Sequence, residues 1–200
     1  MLSSTPDVIR HIPISENKLG NNSMSYVELP ISICEVGAAD GTKYYVTLAS
    51  LDATFNRGLA PEEIVGVLLM PLKSGDRITP DNFARNKAFV DFMHDTISKC
   101  AHTLSELAAS AKRQGEGWIY ILDGRTPAPN GPVPPEDIIG AFQVKGGQLV
   151  PASYQRNSNH RILSERGFVS LDSELMERLL SALSRLGAKG RPAEDSAPLG

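Results

Sequence analysis

Apolar side chains recur every seven residues along the middle of this chain, and this spacing constrains the fold more than any other feature. The positions concerned are Phe83, Val90, Ile97, Leu104 and Ala111. Side chains at this spacing share one face of an α-helix. Thr79 can cap such a helix, Pro80 suits its first position, and Gly115 can end it. The pattern therefore predicts a helix over residues 80–113 that lies on a sheet.

The sequence leaves the continuity of this helix open. Residues 103–106 read TLSE, which is a capping-box pattern and would start a new helix. The helix is therefore either continuous or broken near Thr103. In both cases we expect Val90, Ile97 and Leu104 to pack in the core, because they share the apolar face.

Strands are predicted on both sides of the helix, where apolar and polar residues alternate. Before it, residues 25–36 read SYVELPISICEV, and Pro30 in this run marks an edge strand or a bulge. A second alternating run around Val46 predicts a hairpin, and the run IVGVLLMP at 64–71 a buried strand. After the helix, GWIYILD at 117–123 predicts an interior strand.

The C-terminal part of the chain predicts a hairpin followed by a helix. Two strand-like runs flank Gly146 and Gly147, a pair that favours a two-residue turn. Asp172 can cap the last helix and Gly187 can end it. The apolar stripe of this helix consists of Leu175, Leu179, Leu183 and Leu186.

These elements predict an α+β fold. We expect a single domain over residues 23–187, with a mixed, mostly antiparallel sheet of about five or six strands. The long helix and the C-terminal helix would cover one face of that sheet. If the strands at Val65 and Trp118 paired in parallel, the long helix would be their right-handed crossover.

The two ends of the chain lack this patterning. Residues 1–22 are polar and predict a flexible N-terminal arm, with a short docked segment at residues 8–14. Residues 188–200 are small, charged and proline-bearing, and they predict a disordered tail.

Charge and cysteine content narrow the possible surroundings and partners. The net charge of −3 is too mild for a polyanion-binding protein, which argues against nucleic acid. Cys34 and Cys100 lie in apolar surroundings and predict reduced, buried thiols, hence a cytoplasmic location. The longest apolar run is far shorter than the roughly 20 residues of a spanning helix, so no membrane association is expected.

The chain carries no recognisable cofactor or metal motif. It has no GxxxxGK[ST], GxSxG, HExxH or GxGxxG, and no zinc-type spacing of cysteine and histidine. We therefore predict no cofactor and no metal.

One group of helix residues resembles a metal-ligand set. Asp91, His94 and Asp95 lie within one turn of the predicted helix. However, Lys87, Asp91, Asp95 and Lys99 are spaced by four, which favours ion pairs along a solvent-exposed face. We prefer the ion-pair interpretation.

The loop after the strand at 117–123 is a candidate site because ligands often bind beyond strand ends. It begins with Asp123, Gly124 and Arg125 and continues to residue 135 with five prolines. An Asp-Gly turn with a solvent-facing arginine is the simpler interpretation.

The strongest candidate site is the segment 154–167, which begins YQRNSNHRIL. Arginine side chains bind carboxylate or phosphate, and a histidine can transfer a proton near neutral pH. The predicted ligand-binding residues are Tyr154, Arg156, Asn159, Arg161 and Arg125. The predicted catalytic residues are His160 and, as the group that orients it, Asp123. Alternatively the segment is a polar connector, because asparagine and serine favour turns.

Two functions follow from these residues. The first is a binding or adaptor module that recognises a protein partner or a small anionic ligand through loops 123–135 and 154–167. The second is a small enzyme acting on a phosphate- or carboxylate-bearing substrate, with His160 as acid/base. We favour the binding module, because the sequence shows no nucleophile, metal or cofactor. The sequence does not indicate an oligomeric state.

Overall fold

The computed structural model describes residues 9–10, 25–38, 41–48, 58–125 and 132–189. Within these ranges the helices are α1 (Lys87–Cys100), α2 (Ser105–Gln114) and α3 (Ser173–Lys189). The strands before α1 are β1 (Ile9–Arg10), β2 (Tyr26–Glu28), β3 (Ser32–Ala38), β4 (Gly41–Thr47), β5 (Ile64–Leu68) and β6 (Phe83–Arg85). Those after α2 are β7 (Gly117–Leu122), β8 (Ile138–Lys145), β9 (Gln148–Leu149), β10 (Gln155–Arg156), β11 (Leu163–Ser164), β12 (Gly167–Phe168) and β13 (Ser170–Asp172).

The strands form antiparallel sheets, which confirms the α+β class. One sheet has five strands in the order β1-β3-β4-β5-β6, and a second has the order β10-β8-β7 with β9 also paired to β8. Two further pairs join β11 to β12 and β13 to β2. The single sheet of the prediction is thus divided. The strands at Val65 and Trp118 lie in different sheets, so α1 and α2 are not a parallel crossover.

The start of the long helix differs from the prediction. Thr79 and Pro80 introduce a single 3₁₀ turn, and the chain then forms β6, in which Phe83 pairs with Leu68 of β5. The helix begins only at Lys87, where the Asn86 side chain accepts a hydrogen bond from the Ala88 amide. The pairing of β6 with β5 is therefore favoured over a helix that starts at Thr79.

The helix is broken near Thr103 and not continuous, which was one of the two alternatives that the sequence left open. α1 ends at Cys100, residues 101–103 form a 3₁₀ turn, and α2 starts at Ser105. The TLSE capping box is not formed, because Leu104 occupies the N-cap position. The Thr103 hydroxyl instead donates to the Cys100 carbonyl.

The core lies between the helices and the sheets. The seven-residue stripe is largely correct: Ile97 and Leu104 are buried, whereas Val90 is half-buried at the edge of the core. The largest fully buried side chains are Phe89, Phe142, Leu29, Met93 and Ile97. Of the two free cysteines, Cys34 is buried as predicted and Cys100 is half-buried.

The C-terminal elements confirm most local predictions. Gly146 and Gly147 form the turn between β8 and β9, both with positive φ, which the αL region requires. The Asp172 carboxylate accepts from the Glu174 amide and so caps α3. The helix does not stop at Gly187 but continues to Lys189.

The predicted N-terminal arm is described only in part. Residues Ile9–Arg10 pair with β3 opposite Cys34 and Ile33, within the segment that we expected to dock. The rest of residues 1–22 and most of the predicted tail lie outside the described residues. Among the described helices, none has both the length and the hydropathy needed to cross a bilayer.

Candidate functional site

The predicted segment 154–167 is fixed to the second sheet by Asn157. Its side-chain amide donates to the carbonyls of Pro135, at 2.6 Å, and Ile138, at 2.7 Å. Its Oδ1 accepts from the amide of Asn159 at 3.0 Å. Asparagine bonds nearby backbone groups in this manner, so the polar composition of the segment serves partly as a structural anchor.

Within and beneath this segment lies a network of ionisable side chains, which we call the buried ion network: Asp123, Arg125, Asp137 and His160 are buried, and Arg166 joins them from the exposed edge. Nη2 of Arg125 lies 2.7 Å from Oδ2 of Asp123 and 3.5 Å from Oδ1 of Asp137. Nη2 of Arg166 lies 2.6 Å from Oδ2 of Asp137. Buried charges are stable only when they are paired and hydrogen-bonded, and these residues provide partners for one another.

Arg125 connects the loop after β7 to the predicted segment. Its guanidinium donates to the hydroxyl of Ser164 at 2.9 Å and to the carbonyls of Gly167 at 2.8 Å and Arg161 at 2.6 Å. The side chain is only 3 % exposed. The Asp-Gly turn is therefore present, but the expectation that its arginine faces the solvent is wrong, and Arg125 holds the segment in place from below.

The structure brings together the predicted catalytic pair. Nε2 of His160 lies 3.2 Å from Oδ2 of Asp123, so Asp123 can orient the imidazole. Asp123 also accepts from the amides of Arg125 and Ser170. The His160 side chain is nonetheless 1 % exposed, and an acid/base must reach the proton that it transfers.

Tyr154 lies beside this pair but faces a second histidine. Its hydroxyl is 2.7 Å from Nδ1 of His94, and its ring packs against Phe142. The rings of His94 and His160 meet edge to face, with centroids 6.3 Å apart. Burial, followed by the charge of His160, lowers the pKa of His94 to about 4. Burial also raises the pKa of the Tyr154 hydroxyl.

Arg156 lies apart from these residues. Its guanidinium is 2.8 Å from Asp91 of α1, and both side chains remain well exposed. Hydrogen bonds from Lys87 and then Arg156 lower the pKa of Asp91. Lys87 pairs with Asp91, and Lys99 pairs with Asp95 at 2.6 Å, as the ion-pair interpretation predicted. No group of metal-binding side chains is found in the described part of the chain.

The remaining part of the segment lines an open cleft of about 580 Å³, which we call the arginine cleft. Asn159 and Arg161 contribute exposed side chains from the predicted segment, and Arg85 contributes another from β6. Glu136 also lines the cleft, but its carboxylate lies 3.5 Å from Arg166. The other lining residues are Pro80, Phe83, Pro135, Ser158, His160, Ile162 and Leu163.

The structure thus divides the predicted site. Asn159, His160 and Arg161 belong to the arginine cleft; Asp123 and Arg125 support it from the interior; Tyr154 and Arg156 do not line it. Arg85 was not predicted, because an arginine in a three-residue strand carries no sequence signal for a site that lies about 75 residues further along the chain. The acidic partner Asp137 was also missed, since Pro-Pro-Glu-Asp reads simply as a loop.

Comparison of the chain with protein-family models, curated proteins and solved structures finds no match. The residues of the site itself are therefore the basis for a functional assignment.

Proposed function

We propose that this protein is a binding module that recognises an anionic group, a carboxylate or a phosphate, in the arginine cleft. The observation that carries this proposal is the charge of the cleft walls. Arg85 and Arg161 are exposed in the cleft, and neither has a carboxylate partner within the described ranges. Among the described residues of the lining, the one acid is Glu136, which already faces Arg166.

The arginines suit this role because of their chemistry and their support. A guanidinium offers a planar set of donors that matches the oxygens of carboxylates and phosphates. The backbone at Arg161 is fixed twice, since its carbonyl accepts from Arg125 and its amide donates to the carbonyl of Glu136. A fixed backbone reduces the entropy that is lost when a ligand binds.

The anionic group has two sources that fit this chemistry, a free small molecule and an acidic segment of a partner protein. The cleft is open, and its wall includes Pro135, the last residue of the proline-rich loop 123–135, and Glu136, which follows it. Residues 126–131 of that loop lie outside the described residues. The part played by this loop in contacting a protein partner and the cytoplasmic location both stay predictions from the sequence.

Titration by NMR distinguishes the two sources. Pyrophosphate and a short peptide of consecutive glutamates serve as probes, and amide shifts are followed at residues 158–163 and at Arg85. We expect both probes to shift these amides, and the double variant Arg85→Ala/Arg161→Ala to weaken binding at least tenfold, because each charge-assisted bond contributes about 1.5–3 kcal/mol. If pyrophosphate binds and the glutamate peptide does not, the cleft is a small-molecule site.

Lys145→Ala is the matched control. Lys145 is an exposed cation in the hairpin between β8 and β9, away from the cleft lining. Equal weakening by this control variant would show that the probes respond to general charge. Unchanged binding in the double variant would refute the proposal.

One observation supports the enzyme alternative, the 3.2 Å contact between His160 and Asp123 beside the cleft. The 1 % exposure of the His160 side chain opposes it. Hydrolysis of p-nitrophenyl phosphate by the wild type and by His160→Gln decides between the functions. An enzyme that uses His160 should lose about 10²–10⁴ in rate while still binding pyrophosphate. A binding module should show no turnover in either form.

A further inference from the structure

The outer strand of the five-stranded sheet, β6, lies beside the arginine cleft. Among the described strands β6 pairs only with β5, so its other edge is open. Phe83 and Arg85 both line the cleft, as expected for alternate residues of a strand, whose side chains share a face. Ala84 and Arg85 are exposed, so no described element covers the open edge. One wall of the cleft is therefore a strand that can still pair.

The hydrogen bonds on either side of β6 show which of its backbone groups point away from β5. The Asn86 amide donates to a carbonyl of β5 at 2.9 Å, and the Asn82 carbonyl accepts from the amide that follows β5 at 3.1 Å. Residues of an antiparallel strand alternate between bonding to one neighbour and pointing away from it. Positions 82, 84 and 86 therefore face β5, whereas the backbone groups of Phe83 and Arg85 point to the open edge.

Most of these outward groups have no partner among the described residues. The Phe83 amide donates to the carbonyl of Pro80 and closes the preceding 3₁₀ turn. No bond from a described residue reaches the Phe83 carbonyl, or the amide and carbonyl of Arg85. Unpaired amides and carbonyls at a sheet edge form a template on which another extended chain can pair. The open edge of β6 therefore offers both a donor and acceptors.

The outer strand of the second sheet, β7, lacks this combination of free backbone groups and positive charge. The Gln114 side chain donates to the Trp118 carbonyl at 3.0 Å and so occupies part of that edge. The large exposed side chains of β7 are the uncharged Trp118 and Tyr120. In contrast, β6 carries Arg85 and shares its cleft with Arg161, and neither arginine has a carboxylate partner within the described ranges. The edge of β6 is thus the one that attracts an acidic chain.

We propose that the occupant of the arginine cleft is an extended acidic segment of a partner protein, which adds to β6 as a further strand. This inference rests on the proposed function and narrows the two sources of the anionic group to the partner protein. The backbone of the segment exchanges hydrogen bonds with Arg85 and bonds the Phe83 carbonyl, and its carboxylates pair with Arg85 and Arg161. The backbone bonds supply affinity, and the carboxylates select the sequence.

Binding of a short synthetic peptide of alternating threonine and glutamate to the full chain tests this proposal. In an antiparallel pairing, the peptide residue opposite Arg85 bonds its backbone and projects its side chain to the same face. N-methylation of the glutamates therefore removes the donors that face β6, whereas N-methylation of the threonines removes donors that point away. By isothermal titration, we expect the first change to weaken binding by at least about tenfold and the second to leave it nearly unchanged.

The two methylated peptides are matched controls for each other, because they have the same charge and composition. Equal affinities of these two peptides would overturn the added strand. A loss confined to the threonine-methylated peptide would support an added strand in the parallel orientation, in which the other set of amides faces β6.

Hydrogen exchange followed by NMR shows where the peptide binds. We expect exchange of the Arg85 amide to slow when the unmodified peptide is bound, because this amide gains a partner. Slowed exchange at Tyr120 instead would place the added strand on β7 and overturn the proposal.

The failure of this inference is distinguishable from failure of the proposed function. If Arg161→Ala weakens binding of both pyrophosphate and the unmodified peptide, but the two methylated peptides bind alike, the anion site stands and the added strand is refuted. If neither pyrophosphate nor the unmodified peptide binds, both are refuted.

Discussion

The buried ion network and the ion pairs along α1 use the same residue types in opposite surroundings. In the network, the side chains of Asp123 and Arg125 are at most 3 % exposed and join segments that are far apart in sequence. On α1, Asp91 pairs with Lys87 one turn away, and both remain in contact with water. Exposed pairs contribute about 0–1 kcal/mol, whereas breaking a buried pair leaves an uncompensated charge. The comparison indicates that burial, more than residue type, decides what a charged side chain contributes here.

The largest effect is expected from removing the centre of the buried network. Arg125→Ala leaves Asp123 without its closest cation and removes three hydrogen bonds to the segment 161–167. We expect the free energy of unfolding in urea to fall by about 3–5 kcal/mol. A loss below about 1 kcal/mol would show that the network is as weakly coupled as the surface pairs.

A smaller effect is expected from the pH dependence of stability, through His94. Its pKa is about 4 in the folded protein, below the ordinary value of 6.5, because burial favours the neutral imidazole. The unfolded chain therefore binds more protons between these values. The stability that His94 contributes is complete above about pH 6.5 and is lost as the pH falls towards 4.

Between pH 7 and pH 4, the contribution of His94 to the free energy of unfolding is expected to fall by about 2 kcal/mol. One pKa unit corresponds to about 1.4 kcal/mol, and the effect of the shift is reduced because the ring is not fully shielded from water. His94→Gln keeps a group that can bond to the Tyr154 hydroxyl but does not titrate. The difference in unfolding free energy between wild type and variant, measured from pH 4 to pH 7, should follow this decline. A difference that does not vary with pH would contradict the pKa shift.

The sequence predicted those features that depend on neighbouring residues. The apolar stripe through Ile97, the turn at Gly146 and the cap at Asp172 all follow from local rules of periodicity, αL backbone and N-cap chemistry. The predicted start of α1 at Thr79 was wrong. The residues that favour a helix start there instead form a 3₁₀ turn that leads into β6, which pairs with β5.

The candidate site was predicted only where its residues are close together in the chain. Asn159 and Arg161 lie in the cleft as the polar run suggested. The inward orientation of the Arg125 side chain could not be predicted, because its partners Ser164 and Gly167 lie 39 and 42 residues further along the chain. Such pairings depend on tertiary structure, which no local pattern records.

The smallest effect is expected on α1. Asp91→Ala removes the carboxylate that pairs with both Lys87 and Arg156. Because all three side chains remain exposed, we expect a loss of at most about 1 kcal/mol in urea unfolding. A loss comparable to that of Arg125→Ala would remove the distinction between the two regions.

The proposed function is tested most directly by comparing Arg161→Ala with Arg156→Ala. Both arginines are exposed residues of the same segment, but Arg161 lines the arginine cleft and Arg156 pairs with Asp91 on α1. Isothermal titration with pyrophosphate should show at least tenfold weaker binding for Arg161→Ala and nearly unchanged binding for Arg156→Ala, with both variants folded. Equal weakening by the two variants, or no weakening by Arg161→Ala, would contradict the assignment of the arginine cleft as the anion-binding site.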